Sequence, residues 1–268
     1  MMKKRITVLA ALAVLAIGLT GCGNTAKENS AETSAAQTQA QTVSGYSGID
    51  VESPEWIGKL DAAKNSEQVF VVAAFSETAT DAWISLHEKQ DDGSWHMVMT
   101  TPGFIGKNGL GKTKAGDAKT PVGEFRFNRA FGIADDPGSK IPYVKVDGDT
   151  YWSGDGQEGH HYNEMVDIKD IPDLDTSESE RILDYIYHYQ YCLNISYNEE
   201  CTPGLGSAIF LHCFGPAKPF SGGCVAIPED YMRFVMQRVD DKTAVVINTY
   251  EALSGTDEWP ESTWPQVK

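Results

Sequence analysis

The chain has 268 residues, 41% of them apolar, and its 38 acidic and 22 basic side chains give a formal net charge of −16. This balance argues against a protein that binds nucleic acid and provides no basic surface for direct adhesion to anionic lipid. The length is sufficient for one domain with a substantial core.

The first 21 residues are typical of an export signal. Three basic residues at positions 3 to 5 precede an apolar run over residues 6–19, which is too short for a membrane span of about 20 residues. The run ends in Leu19-Thr20-Gly21-Cys22, which resembles the lipobox of bacterial lipoproteins. We expect residues 1–21 to be a signal peptide and Cys22 to be lipidated. Ordinary signal cleavage near Gly21 is the alternative.

Residues 22–48 are predicted to be a lipidated N-terminus followed by a flexible tether. The segment is dominated by Ser, Thr, Ala, Gln, Asn and Gly, and such a composition cannot bury enough apolar surface to offset its ordering entropy. Residues 49–268 form the predicted folded domain. The protein is therefore expected to be exported and to be held at the membrane by its lipid, facing the cell wall.

The domain is predicted to be mainly β, with two or three helices. Strand-like runs rich in β-branched and aromatic residues cover residues 68–75, 82–88, 95–101, 122–128, 143–146, 207–211 and 244–249. Helical patterns are confined to residues 55–64, 178–191 and 229–239, the last starting just after Pro228.

One stretch, residues 207–228, carries the chemistry. An apolar run ends in His212, and a loop rich in Gly and Pro leads to Cys224 at the start of a second apolar segment. Two short strands joined by such a loop can place an imidazole beside a thiol. An imidazole that takes the thiol proton leaves a thiolate–imidazolium pair. The backbone N–H groups at Gly222 and Gly223 can line a pocket for an oxyanion.

Other uses of the same residues remain open. A packed thiol and a satisfied core histidine are the common structural explanation. A structural zinc site would use Cys201, His212, Cys213 and Cys224, although their spacing lacks the usual paired cysteines. A Cys192–Cys201 disulfide is compatible with export. The run His160-His161 with Glu164 is a further metal candidate in a polar loop.

Two blocks of sequence resemble a known family. Residues 204–212 read G-L-G-S-A-I-F-L-H and residues 221–226 read S-G-G-C-V-A, while an upstream block, residues 116–125, reads G-D-A-K-T-P-V-G-E-F. Together they are similar to the signature of the L,D-transpeptidase (YkuD-type) catalytic domain, and the similarity extends over roughly residues 66 to 250. The resemblance implies a β-sandwich or barrel for the domain at residues 49–268.

The resemblance also implies roles for individual residues. Cys224 would attack the L-to-D amide of a peptidoglycan stem tetrapeptide, and His212 would be the general base and then the acid. The backbone N–H groups of Gly222, Gly223 and Cys224 would supply the oxyanion hole, and the backbone carbonyl of Cys213 would orient the imidazole. The thioester would be resolved by an acceptor-stem amine, which gives a 3→3 cross-link, or by water. Such an enzyme builds the cell wall, needs no cofactor or metal, and has peptidoglycan stem peptides as its partners.

Substrate contacts are expected from Ser221 in the nucleophile box and from four residues between the blocks, Tyr151, Trp152, Tyr162 and Asn163. The alternative for these aromatic residues is a purely structural role in a covering loop. The chain departs from the family where Gly222 replaces a histidine and Ala226 stands near the place of an arginine. These departures leave a murein L,D-carboxypeptidase, or a lipoprotein that only binds murein, as alternatives.

Overall fold

The computed structural model describes residues 45–216 and 218–259. The predicted signal peptide, the lipidation site Cys22 and nearly all of the predicted tether lie outside these residues. Tyr46, at the end of the segment assigned to the tether, is partly buried and stacks on Tyr231 with ring centroids 4.2 Å apart. Tyr46 therefore packs against the folded domain. Among the described residues, no helix has the length and apolar character that a membrane span requires.

A closed ring of strands forms the body of the domain. The strands, in chain order, are β1 (Val51–Glu52), β2 (Gln68–Ala74), β3 (Asp81–Lys89), β4 (Trp95–Phe104), β5 (Gly123–Gly132), β6 (Tyr143–Lys145), β7 (Thr150–Trp152), β8 (Met165–Asp167), β9 (Glu180–Arg181), β10 (Cys192–Ile195), β11 (Phe210–Cys213), β12 (Val225–Ile227) and β13 (Ala244–Thr249). The ring runs β4-β12-β11-β10-β5-β13-β2-β3 and closes because β3 also pairs with β4. Strands β1 and β6 extend it by pairing with β4 and β5. The predicted mainly β, barrel-like fold is confirmed.

The sequence of β2 explains why it is central. After Gln68, its residues are all apolar without alternation, and all of these are buried. Phe70 and Val72 face the interior of the ring, whereas Val69 and Val71 pack in a second core on the outer side, against Ile57 and its neighbours. A strand that is buried on both faces reads as a continuous apolar run rather than as an alternating one.

A small sheet covers the ring on the side where β11 and β12 lie. Strand β7 pairs antiparallel with β8 and with β9. Trp152 of β7 is buried against Phe131 and Phe210, with ring centroids 5.8 and 4.8 Å away. The aromatic cluster fixes this sheet, which we call the cap sheet, beside the ends of β11 and β12.

Of the three predicted helices, one is confirmed and two are not. The helix after Pro228 is confirmed as α1 (Glu229–Met236), and α2 (Tyr250–Ser254) was not predicted. Residues 55–64 instead form two short 3-10 turns, Ile57–Lys59 and Ala62–Lys64, that lie flat on the outer core. Residues 178–191 contain β9 and a 3-10 turn, Ile182–Tyr185. That prediction was wrong because pairing with the distant β7 overrides the local pattern.

Candidate active site

Strands β11 and β12 place His212 and Cys224 on the same face. They are parallel, with His212 level with Ala226, so that Cys224 lies two residues from His212 along the neighbouring strand. Side chains alternate: Leu211 and Val225 face the interior of the ring, and Phe210 and Cys224 face the cap sheet. From strand spacing and rise, the two Cα atoms are about 8 Å apart. The two side chains are therefore diagonal neighbours, and both line one cavity.

The thiol of Cys224 has hydrogen-bond partners in the backbone. Its S–H donates to the carbonyl oxygen of Ala208 at 3.1 Å, and the N–H of Phe210 donates to the sulfur at 3.4 Å. Ala208 has a φ of 56°, a left-handed conformation that is uncommon for alanine. In this conformation, the carbonyl oxygen of Ala208 lies within hydrogen-bond distance of the sulfur. The resting thiol is thus bonded to a carbonyl oxygen and makes no hydrogen bond with His212.

The imidazole of His212 is held by its own neighbour. The Nδ1–H donates to the carbonyl oxygen of Cys213 at 2.8 Å, which is the contact that the family resemblance implied. The ring packs edge-on against Tyr189 and His188, with centroids 5.4 and 5.6 Å away. Because Nδ1 carries the proton, Nε2 is the nitrogen with a lone pair that can accept a proton from a bound reactant.

Burial keeps both groups neutral. Burial and, to a smaller extent, the nearby His188 lower the pKa of His212 to about 4, although the hydrogen bond to the Cys213 carbonyl acts to raise it. Burial raises the pKa of Cys224 to about 12, and the carboxyl group of Glu180 adds to that rise. The resting site therefore contains a thiol and an imidazole rather than an ion pair.

The loop before Cys224 is tied to the upstream sequence block. The buried hydroxyl of Thr120 donates to the Gly223 carbonyl oxygen at 2.8 Å and accepts from the Gly106 N–H at 2.9 Å. Ser221 donates through its hydroxyl to the Cys224 carbonyl oxygen at 2.6 Å and accepts from the Gly223 N–H at 3.0 Å. The two blocks, which lie about 100 residues apart in the sequence, form one structural unit around Cys224.

Asp117 organises the upstream block. Its carboxylate accepts from the backbone N–H groups of Thr113, Lys114 and Lys119 and pairs with Lys112 at 3.0 Å. Burial would raise the pKa of Asp117, but these donors prevail and lower it to about 2. The block therefore contains an ionised carboxylate at neutral pH, and this carboxylate fixes the loop that carries Thr120.

A cavity of about 580 Å³ opens between the ring and the cap sheet. It contains the side chains of Cys224 and His212, and two glutamates and three lysines reach it. Its lining also includes Tyr185 and Tyr189, which stack at 4.6 Å. A cleft of this size with converging polar groups accommodates a small peptide.

Comparison with known proteins identifies the family of this chain. Residues 83–247 match the family model of the YkuD-type L,D-transpeptidase catalytic domain. The chain belongs to this family. A search of the curated proteins finds no match.

Three solved structures are similar to this L,D-transpeptidase-family chain. The helical cell shape determining protein Pgp2 from Campylobacter jejuni has 16% identity and a TM-score of 0.36 over 72% of this chain and 54% of that one. Mycobacterium tuberculosis L,D-transpeptidase 1 has 12% identity and a TM-score of 0.31 over 67% and 62%. The Ldtfm–avibactam carbamoyl enzyme has 14% identity and a TM-score of 0.29 over 68% and 49%. The chain thus spans about half to three-fifths of the length of these structures.

Among the residues predicted to contact substrate in this family member, only Tyr162 and Ser221 line the cavity. The hydroxyl of Tyr162 accepts from the Gly206 N–H at 3.1 Å. Trp152 lies beneath the site, where its Nε1–H donates to Asn163 Oδ1 at 3.0 Å. Tyr151 projects from β7 and is not part of the cavity lining.

Asn163 supports the nucleophile indirectly. Its Oδ1 also accepts from the Ala208 N–H at 3.0 Å, and its Nδ2 donates to the carbonyl oxygens of Tyr197 and Asn198. The Ala208 carbonyl oxygen accepts a hydrogen bond from the Cys224 thiol. Asn163 therefore fixes the segment to which the sulfur is hydrogen-bonded. The polar groups of Trp152 and Asn163 are thus bonded within the fold, and neither residue lines the cavity.

The remaining cysteines and histidines do not form the alternative sites considered above. Cys192 and Cys201 both carry free thiols, so the disulfide considered above is not formed. Cys192 is buried in β10, whereas Cys201 lies in a turn beyond the strand. Cys213 faces the interior of the ring, opposite Cys224. Among residues 45–216 and 218–259, no group of three or more potential metal ligands converges.

The histidines of the polar loop have carboxylate partners. The Nδ1 of His160 lies 2.6 Å from Asp155, and the Nδ1 of His161 lies 2.8 Å from Glu164. Paired in this way, they stabilise the loop after β7 rather than a metal ion.

Glu180 and His188 were not predicted to belong to the site. Glu180 and His188 were assigned to a helix, whereas both line the cavity. His188 fits against Gly215, where a methyl group would overlap its ring. The signal available in the sequence was Gly215 itself, two positions after Cys213, since glycine allows a close approach of another group.

Proposed function

We propose that the protein is a cysteine-dependent L,D-transpeptidase that acts on peptidoglycan stem tetrapeptides. One observation carries this proposal: His212 and Cys224 line the same cavity from adjacent parallel strands, and the Cys213 carbonyl orients the imidazole. The family membership of the chain supports the reaction class. The donor stem would be cleaved at its L-to-D amide, with release of the terminal D-residue.

Acylation begins from the neutral pair. A bound stem peptide displaces the thiol from the Ala208 carbonyl, and the sulfur turns toward His212. The Nε2 of His212 takes the proton while the sulfur attacks the scissile carbonyl carbon. The imidazolium then protonates the departing amine. Because Nδ1 stays bonded to the Cys213 carbonyl, the ring keeps the tautomer and the orientation that this sequence requires.

The oxyanion needs backbone donors close to the sulfur. Gly223, one of the three predicted donors, gives its N–H to the Ser221 hydroxyl in this structure. We assign the oxyanion hole to the N–H groups of Gly222 and Cys224, with Gly223 able to join them only if the Ser221 contact opens. Gly222 lines the cavity, and the space around its Cα is open, so a substrate carbonyl can approach its backbone.

Two other outcomes of the same site are distinguishable. If water resolves the thioester, the protein is a murein L,D-carboxypeptidase. If the thiol stays inert, the protein is a murein-binding lipoprotein, and the raised pKa of Cys224 favours that outcome. Product analysis distinguishes transpeptidation from hydrolysis, and formation of the thioester distinguishes both reactions from murein binding alone.

We also propose that residues 1–21 are a signal peptide, that residues 22–48 connect the lipidated Cys22 to the domain, and that residues 49–268 form the catalytic domain. The protein would then face the cell wall from the membrane, and peptidoglycan would be its partner. Mass spectrometry of the N-terminal peptide from the native host tests the anchor, since a lipidated Cys22 would appear as the first residue with a diacylglycerol mass.

The reaction is tested by mass spectrometry of the purified protein. Incubation with a stem tetrapeptide should release the terminal D-residue and leave an acyl group on the peptide that contains Cys224, and a carbapenem should give a stable adduct there. Cys224→Ala and His212→Ala should abolish both products. Cys201→Ser is the matched control, because this half-exposed thiol lies outside the cavity, and it should react as the wild type does. Acylation that survives Cys224→Ala would refute the proposal.

A further inference from the structure

Glu180 is an acidic residue inside the cavity for which the acylation step has no use. It lies in β9, where it pairs with Trp152 of β7, and its side chain lines the cavity with Cys224. Its Oε2 accepts a hydrogen bond from the Tyr189 hydroxyl at 2.8 Å. The cap sheet therefore holds a carboxyl group over the reacting sulfur.

This carboxyl group has no basic partner among the residues that the structure describes. The adjacent Arg181 turns away and binds Asp184 and the Gly148 carbonyl. Lys112, which also lines the cavity, is paired with Asp117 at 3.0 Å. Glu180 is partly buried, so its carboxyl group loses part of its hydration, and a cation that binds beside it would compensate that loss.

Glu180 also hinders the first half-reaction. Its negative charge raises the pKa of the Cys224 thiol, which makes the nucleophile harder to generate. Burial in turn raises the pKa of Glu180, against the effect of the Tyr189 hydroxyl. A group that disfavours acylation and lies in the catalytic cavity is best explained by a role after acylation, when the sulfur has become a neutral thioester.

We propose that Glu180 binds the ammonium group of the acceptor stem and takes one of its protons, so that an amine rather than water resolves the thioester. The inference rests on the proposed function. A side-chain amine is protonated at neutral pH, and an ammonium group is the cation that the carboxylate lacks. Nucleophilic attack requires its neutral form, which a carboxylate in a cavity partly shielded from water can generate.

The proton balance is complete with groups already in the cavity. The ammonium gives its first proton to Glu180, and the resulting amine attacks the thioester carbonyl carbon. The second proton passes from the nitrogen to Nε2 of His212 as the C–S bond breaks, and His212 returns it to the leaving sulfur. The products are the new amide, the Cys224 thiol and a protonated Glu180, which releases its proton to solvent.

The test measures how the acyl-enzyme divides between transfer and hydrolysis. Wild type, Glu180→Gln and Glu178→Gln are each given a tetrapeptide donor and a stem acceptor whose side-chain amine is protonated at pH 7. Glu178 is the matched control because it lines the same cavity but is exposed. Hydroxylamine, which is neutral at pH 7, replaces the stem acceptor in a parallel series.

We expect Glu180→Gln to release the terminal D-residue of the donor at least as fast as the wild type, while its ratio of transfer to hydrolysis falls at least about tenfold. Transfer to hydroxylamine should be unchanged, and Glu178→Gln should keep the wild-type ratio. A wild-type ratio in Glu180→Gln would overturn the inference, and so would an equal loss with both acceptors. A wild type that releases no donor residue would instead refute the proposed function.

A second variant covers the case in which Glu180→Gln does not fold. Glu180→Asp keeps the charge but withdraws it from the cavity by one methylene group. We expect its ratio for the stem acceptor to fall severalfold with hydroxylamine transfer unchanged. A ratio equal to that of the wild type would overturn the inference.

Discussion

The hydroxyl of Thr120 should be necessary both for stability and for catalysis. It is completely buried, accepts from the Gly106 N–H at 2.9 Å and donates to the Gly223 carbonyl oxygen at 2.8 Å. Thr120→Val replaces the hydroxyl with a methyl group of similar size, so the packing is kept while a donor and an acceptor lose their partner. The variant therefore isolates the two hydrogen bonds.

The expected magnitude follows from those two bonds. A buried polar group without a partner costs about 1–3 kcal/mol, so two of them should lower the free energy of unfolding by about 2–6 kcal/mol. For a domain of this size, about 2–4 °C of melting temperature is lost per kcal/mol, which gives a fall of roughly 4–24 °C. The freed Gly223 carbonyl lies next to the nucleophile, and a small displacement there should slow acylation at least about tenfold.

The assay combines thermal unfolding with the rate of donor acylation at 25 °C, where the variant is still folded. Thr120→Ser keeps the hydroxyl and should recover most of the stability and activity. Thr101→Val is a matched control elsewhere in the ring, since that buried hydroxyl donates only to the neighbouring Pro102 carbonyl. A Thr120→Val protein as stable and active as the wild type would refute the reasoning, as would a Thr120→Ser protein that is equally impaired.

Three further predictions address the site. Because burial lowers the pKa of His212 to about 4, kcat/KM for acylation should be flat near neutrality and fall only as the pH drops through about 4; a pH–rate profile with a midpoint near 6.5 would contradict this. Gly215→Ala places a methyl group on the ring of His188, so acylation should slow at least about tenfold, whereas Gly45→Ala, with nothing within 4 Å, should have no effect on the same rate. Asn163→Asp keeps the left-handed backbone that its φ of 61° requires but turns a carboxylate oxygen toward two carbonyl oxygens, so the free energy of unfolding measured by urea titration should fall by about 2–4 kcal/mol; an unchanged urea midpoint would remove the positioning role of Asn163.

The parts of the fold that could be predicted have strong local signals. Strands β2, β3 and β4 appeared as long apolar or alternating runs, and α1 followed the proline that often precedes a helix. The juxtaposition of His212 and Cys224 was also predictable, because the apolar residues that flank them belong in strands and the glycines between them allow the chain to return. The side chains of the pair do share one face.

The cap sheet could not be predicted, and the errors about the site come from it. Residues 178–191 have a helical pattern, but Glu180 belongs to a two-residue strand whose partner lies about 28 residues earlier, and no local pattern encodes such pairing. For the same reason, the sequence could not show where the side chains of Trp152 and Asn163 lie. An aromatic and an amide in a polar loop are equally compatible with binding a ligand and with bonding to each other, and only the tertiary structure shows that they bond to each other.

The neutral state of the catalytic pair defines what substrate binding must accomplish. With pKa values of about 12 for Cys224 and about 4 for His212, moving the proton from sulfur to nitrogen in the resting site costs roughly 11 kcal/mol before the two charges attract each other. A turnover of about one per second corresponds to a barrier of about 17 kcal/mol, so the cost alone would consume most of it. The predicted thiolate–imidazolium pair is therefore not the state of the resting site. Attack that is concerted with proton transfer avoids the free thiolate, because the negative charge passes to the oxyanion and its backbone donors. The hydrogen bond from Cys224 to Ala208 keeps the sulfur protonated until a stem peptide occupies the cavity.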